Sequence, residues 1–183
     1  MTTPPTTPTV PLFPNRNFMQ VCWVVSDLRV AIESWSRSTG VGPFFWFDGV
    51  DCVDGRHRGR PAQFPAVTAA IAYAGDLQIE LVSQDNDQPG VFRDVFGKGQ
   101  SGLHHMALIC TDYESERDAY IDGGAELAFE GRIGNSRTCW VDTTPTLGFM
   151  VELLEPSPVR EKGFAAMRAA AQSWDGADPI ARF

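Results

Sequence analysis

Residues 101–112 read SGLHHMALICTD. Two adjacent histidines, His104 and His105, head an apolar run that ends at an aspartate, and the chain holds one other histidine, His57. A run of this length and composition predicts a β-strand, with Asp112 as the N-cap of a helix behind it. The next residues, YESERDAYIDGG, fit that helix, and the glycines stop it. Three more strands follow in AELAFEGRI, RTCWVDTT and GFMVELLEP. The second half of the chain therefore reads strand, helix, strand, strand, strand.

The same order of elements stands earlier. FMQVCWVVSD predicts a strand ending at Asp27, again a plausible N-cap. LRVAIESWSRST places Leu28, Ile32 and Trp35 at helical spacing, and GVG ends it. PFFWF predicts a strand, Asp48 to Pro65 a polar loop or ragged hairpin, and AVTAAIAYAGDLQIELVS two strands turning at Gly75-Asp76. Asp27 lies seven residues after Gln20, as Asp112 does after His105. Each half closes on an apolar-Glu-Leu strand, QIELV around Glu80 and MVELLEP around Glu152. These anchors predict an internal repeat. QPGVFRDVFGKGQS, between the halves, predicts a short helix and a linker. REKGFAAMRAAAQSW predicts a final helix whose stripe of Phe164, Met167, Ala171 and Trp174 reads as core packing. The organisation expected is a disordered segment over 1–17, a domain over 18–156 made of two modules (about 18–98 and 102–156), and a helical tail over 157–183.

Strand alternation sets His105 on one face with Ala107 and Ile109, and His104 on the other with Met106 and Leu108. Parity alone does not choose between them. The repeat does, because it matches His105 to Gln20 and Glu80 to Glu152. Both glutamates stand inside apolar strands, where an unpaired carboxylate is costly. Related halves would bring Gln20, Glu80, His105 and Glu152 to one point, giving one imidazole, two carboxylates and an amide oxygen. That set suits a six-coordinate divalent cation. The plainer alternative is a solvent-facing glutamate, a structural histidine and a surface glutamine.

Composition narrows the function classes. A net charge of -8 and a pI near 4.8 argue against nucleic acid and against an anionic membrane surface. No apolar run approaches the roughly 20 residues that span a bilayer. MTTPPTTPTVPLFP lacks the basic and apolar regions of a secretion signal. Cys22, Cys52, Cys110 and Cys139 show no metal-site spacing and read as free thiols in a reducing, cytoplasmic setting.

Taken together, GVGPFFWF, HRGRP, LQIELV, GLHHMALICTD and GFMVELLEP resemble the vicinal oxygen chelate superfamily, which includes glyoxalase I, bleomycin resistance protein, methylmalonyl-CoA epimerase and extradiol dioxygenases. The resemblance covers about residues 18–156. It implies an α+β fold of two βαβββ modules forming a half-open barrel around a metal. It also implies a divalent ion (Zn, Ni, Co, Mn or Fe) held by Gln20, Glu80, His105 and Glu152, and a homodimer. The epimerase carries histidine at the first ligand position, where this chain has Gln20, as animal-type glyoxalase I does. The epimerase also uses an acid on the strand resembling AVTAAIAYA, which holds none here.

Four protein ligands leave two positions for adjacent substrate oxygens. Proton transfer through an enolate-like intermediate follows, as in an isomerase, epimerase or lyase, with Glu152 taking the proton and Glu80 returning it. An extradiol dioxygenase ranks lower because Gln20 breaks its two-histidine triad. A metal-free binder of the bleomycin-resistance type is the remaining class. Arg58 and Arg60 are candidates for a carboxylate or CoA phosphate, or belong to a solvated loop. Phe45 and Trp140 are candidate pocket walls for a bulky ring.

Overall fold

In the computed structural model, which describes residues 16–182, the two matching segments lie side by side at the centre of one sheet. They are β1 (Gln20–Val24) and β7 (Gly102–Ile109), paired antiparallel. Gln20 stands opposite Ala107 and Cys22 opposite His105. Exchanging the halves turns one of these pairs into the other, so a local two-fold axis passes between the strands. β6 (Leu77–Ser83) runs parallel to β1 with Glu80 beside Cys22. β10 (Met150–Leu154) runs parallel to β7 with Glu152 beside Ala107. The matches read from sequence spacing are thus matches of hydrogen-bond register.

β5 (Thr68–Ala74) and β2 (Phe44–Phe47) extend the first half outward; β9 (Ser136–Asp142) and β8 (Glu126–Ile133) extend the second. α1 (Leu28–Thr39) and α2 (Tyr113–Asp122) follow the two central strands. Asp27 accepts from Val30 N at 2.9 Å and Asp112 from Ser115 N at 3.1 Å, each satisfying an orphan donor of the first helical turn. A single-turn α3 (Thr144–Leu147) precedes β10. The fold is α+β, an open sheet of two βαβββ modules rather than a closed barrel, as expected.

Alternation along the strands separates three cores. Val21, Ile79 and Leu81 face α1 with Ile32. Val141, Val151 and Leu153 face Tyr113 of α2. Cys22, Val24, Val82, Phe129, Trp140 and Met150 share the remaining, concave face. Burying each large apolar side chain contributes roughly 1.5–3 kcal/mol.

The alternation breaks at one place. Cys22 pairs with His105 but Trp23 pairs with Leu103, so His104 is an extra residue in the ladder, a β-bulge. The bulge shifts the facing pattern by one. Leu103 and Met106, three residues apart, both pack in the α1 core, while the His104 and His105 rings meet on the other side with Nδ1 atoms 2.8 Å apart. The expected placement of His104 on the opposite face is corrected by this bulge.

Three further departures concern the connections. The polar insertion forms a hairpin, β3 (Cys52–His57) and β4 (Arg60–Pro61), which leaves its own module and pairs antiparallel with β8 of the other. The short helix expected within 88–101 is instead a set of turns at 91–95. There the Arg93 guanidinium donates to the carbonyls of Gln84, Asn86 and Phe96, so side-chain bonds fix the segment where a helix nucleus would be costly. The tail contains the expected helix, α4 (Pro158–Ser173), then adds a strand, β11 (Ile180–Ala181), parallel to β2. The expected disordered segment lies outside the described residues except for its last two.

Candidate metal centre

His105 is 1% exposed, on the concave face at the centre of the sheet. Its tautomer follows from its neighbours. His104 Nε2 lies 3.0 Å from Val91 O, a pure acceptor, so that nitrogen carries the proton. Burial first, then the charge of His105, lowers the His104 pKa to about 3, so the ring is neutral and its Nδ1 accepts. His105 Nδ1–H therefore donates to His104 Nδ1 at 2.8 Å. Trp140 Nε1, at 3.4 Å from the same nitrogen, is too far to displace that bond. The relay leaves His105 Nε2 facing the cavity, the arrangement in which a partner on the far nitrogen orients a metal-binding imidazole.

Glu152 Oε2 stands 3.1 Å and Glu80 Oε2 3.3 Å from His105 Nε2. Neither lies along the direction in which Nε2 donates, and that nitrogen is buried without a hydrogen-bond partner among the described residues. Burial disfavours the His105 charge; the Glu152 and Glu80 carboxylates outweigh it and hold the pKa up to about 9. The second Glu152 oxygen, Oε1, accepts from Thr138 Oγ1 of β9 at 2.9 Å. Gln20 is 4% exposed; its Nε2 donates to Gln78 Oε1 at 2.6 Å, and Gln78 Nε2 donates to the Tyr73 hydroxyl at 2.8 Å. This chain turns Gln20 Oε1 away, and it too is buried without a partner.

Of the four predicted metal residues, Glu80 and Glu152 both approach His105, and Gln20 lines the same cavity as the two carboxylates; this donor chemistry fits a divalent cation. Gln20 Oε1 is a buried acceptor without a hydrogen-bond partner among the described residues, which costs about 1–3 kcal/mol when unmet. Ligands roughly 2.1 Å from one ion at right angles stand about 3 Å apart, and the His105–carboxylate distances match that spacing. All four donors come from β1, β6, β7 and β10 of one chain.

Gln20, Glu80 and Glu152 line a cavity of about 480 Å³. A recess of about 50 Å³ behind it contains His105 and Trp140. Trp140, a predicted wall, packs edge-on to the His105 ring at 5.9 Å. Phe47, two residues beyond the predicted Phe45, lines the main cavity. The structure does not bring Arg58 or Arg60 there. Arg58 sits at a hairpin turn with φ 46° and pairs with Asp94 at 3.0 Å, Asp142 at 3.1 Å and Glu126. Arg60 is exposed on β4.

Sequence reasoning missed two contributors. The ligating atoms of Cys22, Glu80 and His105 all lie within 4.8 Å of one another. Burial, then Glu80, pushes the Cys22 thiol well above its ordinary pKa, so it is neutral. Its parity with Gln20 on β1 was the available signal. The other is α4, whose Phe164 and Met167 read as core packing but line the cavity. A helical apolar stripe looks the same facing a core or a cavity.

A family model described as Glyoxalase/Bleomycin resistance protein/Dioxygenase superfamily matches residues 19–141. No curated protein matches the sequence. Among solved structures, methylmalonyl-CoA epimerase from Mycobacterium tuberculosis is 20% identical with a TM-score of 0.52, over 78% of this chain and 89% of that one. A Streptomyces coelicolor methylmalonyl-CoA epimerase in complex with 2-nitronate-propionyl-CoA is 17% identical with a TM-score of 0.53, over 78% and 98%. A hypothetical protein from Bacillus halodurans C-125 is 12% identical with a TM-score of 0.52, over 78% and 96%. At these identities the likeness is one of fold. With the match running from β1 into β9, over more than half of the sequence, the chain belongs to the Glyoxalase/Bleomycin resistance protein/Dioxygenase superfamily.

Proposed function

We propose that this chain is a divalent-metal-dependent enzyme that moves a proton on a carbon beside two chelated substrate oxygens, as an epimerase, isomerase or lyase. The observation that carries this is the approach of the Glu80 and Glu152 carboxylates to His105 Nε2, at 3.3 Å and 3.1 Å, beside a cavity that Gln20, Glu80 and Glu152 line. Gln20, Glu80, His105 and Glu152 would hold the ion, which when bound would supply a Lewis acid for the substrate oxygens.

The protein's own groups do the rest. Thr138 fixes one oxygen of Glu152, so Oε2 is the atom that would hold the ion and, once released from it, take the proton. Glu80, its counterpart across the local two-fold axis, stands on the other side of His105 and returns it. His104, held by Val91 O, keeps the His105 ring oriented. The apolar cavity wall, including Phe47, Val50 and Ile71, excludes water from the carbanionic carbon. Four free cysteines fit a reducing, cytoplasmic setting. Methylmalonyl-CoA epimerases among the structural neighbours support this class of chemistry. The four residues of this reading belong to one chain, and a homodimer is part of the same reading.

Metal analysis of the reconstituted protein tests the reading: about one equivalent supports it, and less than about a tenth leaves the metal-free binder. Glu152→Gln is expected to abolish solvent-deuterium exchange into a turned-over substrate while the circular dichroism spectrum stays unchanged. Undiminished exchange removes Glu152 as the base.

A further inference from the structure

The C-terminal helix lies beyond the residues matched to the family, yet it forms part of the cavity. Arg160, Gly163, Phe164 and Met167 all line it. Their spacing is that of one helix face. The helix is tied at both ends: Ser157 caps it directly after β10, and the chain beyond it joins β2 as β11. It therefore crosses the first module and roofs the metal centre.

Two residues on that face are poor choices for packing alone. Gly163, in the helix interior, costs about 1 kcal/mol relative to alanine, and a Cβ built there meets no atom within 4 Å. Arg160 donates through Nη1 to Glu155 O at 2.9 Å, while its Nη2 is buried and has no hydrogen-bond partner among the described residues. Burial works against its charge, and nearby Glu152, Glu155 and Glu161 oppose that effect only in part. An unmet guanidinium donor beside an open apolar cavity is a receptor for an anion. The other charged groups lining the cavity are Glu80 and Glu152, which pair with His105 at 3.3 Å and 3.1 Å, and Asp51, which is exposed.

We propose that Arg160 is the anchor for a substrate carboxylate, and that Gly163 leaves room for the substrate's apolar body beneath α4. The substrate class is a small organic acid with an apolar body, its carboxylate on Arg160 and its reactive oxygens at the metal centre. This deepens the proton-transfer reading, but the anchor is testable without the metal. Arg58 and Arg60 have no part in it.

The test uses 3-phenylpropionate and its neutral isostere 3-phenylpropanamide, titrated calorimetrically into the full chain, metal-stripped and Mn²⁺-loaded in parallel. Metal-stripped wild type is expected to bind the acid about tenfold more tightly than the amide or better, the worth of one charge-assisted hydrogen bond. Arg160→Met should erase that preference and leave amide affinity unchanged; Arg160→Lys should keep part of it. Gly163→Leu should weaken both ligands while leaving the melting temperature equal or higher. If Arg160 serves only to hold α4 to Glu155 O, the melting temperature of Arg160→Met falls and the preference for the acid survives, which overturns the proposal. So does equal binding of acid and amide by wild type, or binding of neither. Metal content, measured on the same preparations, separates failure of the anchor from failure of the metal reading.

Discussion

The two adjacent histidines are expected to give the metal-free protein a peaked stability profile with opposite slopes on either side. His105 has a folded pKa raised to about 9, against roughly 6.5 unfolded. Its contribution is therefore fully present below about pH 6.5 and is lost as the pH rises through 9. His104 has a folded pKa lowered to about 3; its contribution is present above about 6.5 and is lost as the pH falls. The maximum lies near pH 6.5. From zero at that maximum, the folded state's excess of bound protons rises to somewhat under one by pH 7.5, so stability should fall by about 1 kcal/mol per pH unit, about 2 kcal/mol between pH 6.5 and 8.5. Above about 8.5 the buried thiols of Cys22, Cys110 and Cys139, all raised first by burial, steepen the loss. Urea denaturation in the presence of a chelator, at half-unit steps from pH 6.5 to 8.5, measures the slope. His105→Asn should flatten it. A flat wild-type curve, or a slope that persists in His105→Asn, refutes the assignment of that proton to His105 between Glu80 and Glu152.

Three further outcomes follow from the same geometry. Loading Zn²⁺ should release about one proton per ion in buffers between pH 7 and 8, because the proton held on His105 Nε2 must leave; calorimetry in buffers of different ionisation enthalpy reads this directly. His104→Phe keeps the volume but removes the acceptor of His105 Nδ1–H, so metal affinity should fall about 10–100-fold with all four ligands intact, as competition with a chromogenic chelator will show. Gly131→Ala places a Cβ 2.5 Å from Cys52 Sγ and 3.2 Å from Val53 O; it should destabilise the protein by about 1–3 kcal/mol by urea denaturation, through the β3–β8 contact.

Much of the fold was legible because the repeat wrote it twice. Asp27 and Asp112 mark the same helix start, and Glu80 and Glu152 the same strand, so each half checks the other. The four residues proposed to hold the ion were singled out through that duplication, since it matched Gln20 to His105 and Glu80 to Glu152. What escaped has no counterpart in the repeat. The bulge at His104 exists only in the pairing of β7 with β1, and strict alternation therefore misplaced that ring. The β3–β4 hairpin is unique to the first half, so nothing in its sequence says that it pairs with β8. Arg58 looked free because its partners, Asp94, Glu126 and Asp142, are distant in the chain. Arg160 and Gly163 lie past the repeat, on a helix whose pattern fits a core equally well.

That hairpin has a consequence for how the molecule comes apart. The chain leaves the first module after Phe47, crosses to bind the outer edge of the second as β3, and returns for β5. The segment joining the modules, residues 84–101, is thus not the only physical link between them. A protease cut there should leave the two fragments associated, held by the β1–β7 seam and by the β3–β8 ladder on the far side. The halves are interlocked rather than hinged, and they should melt in a single cooperative transition even after the cut.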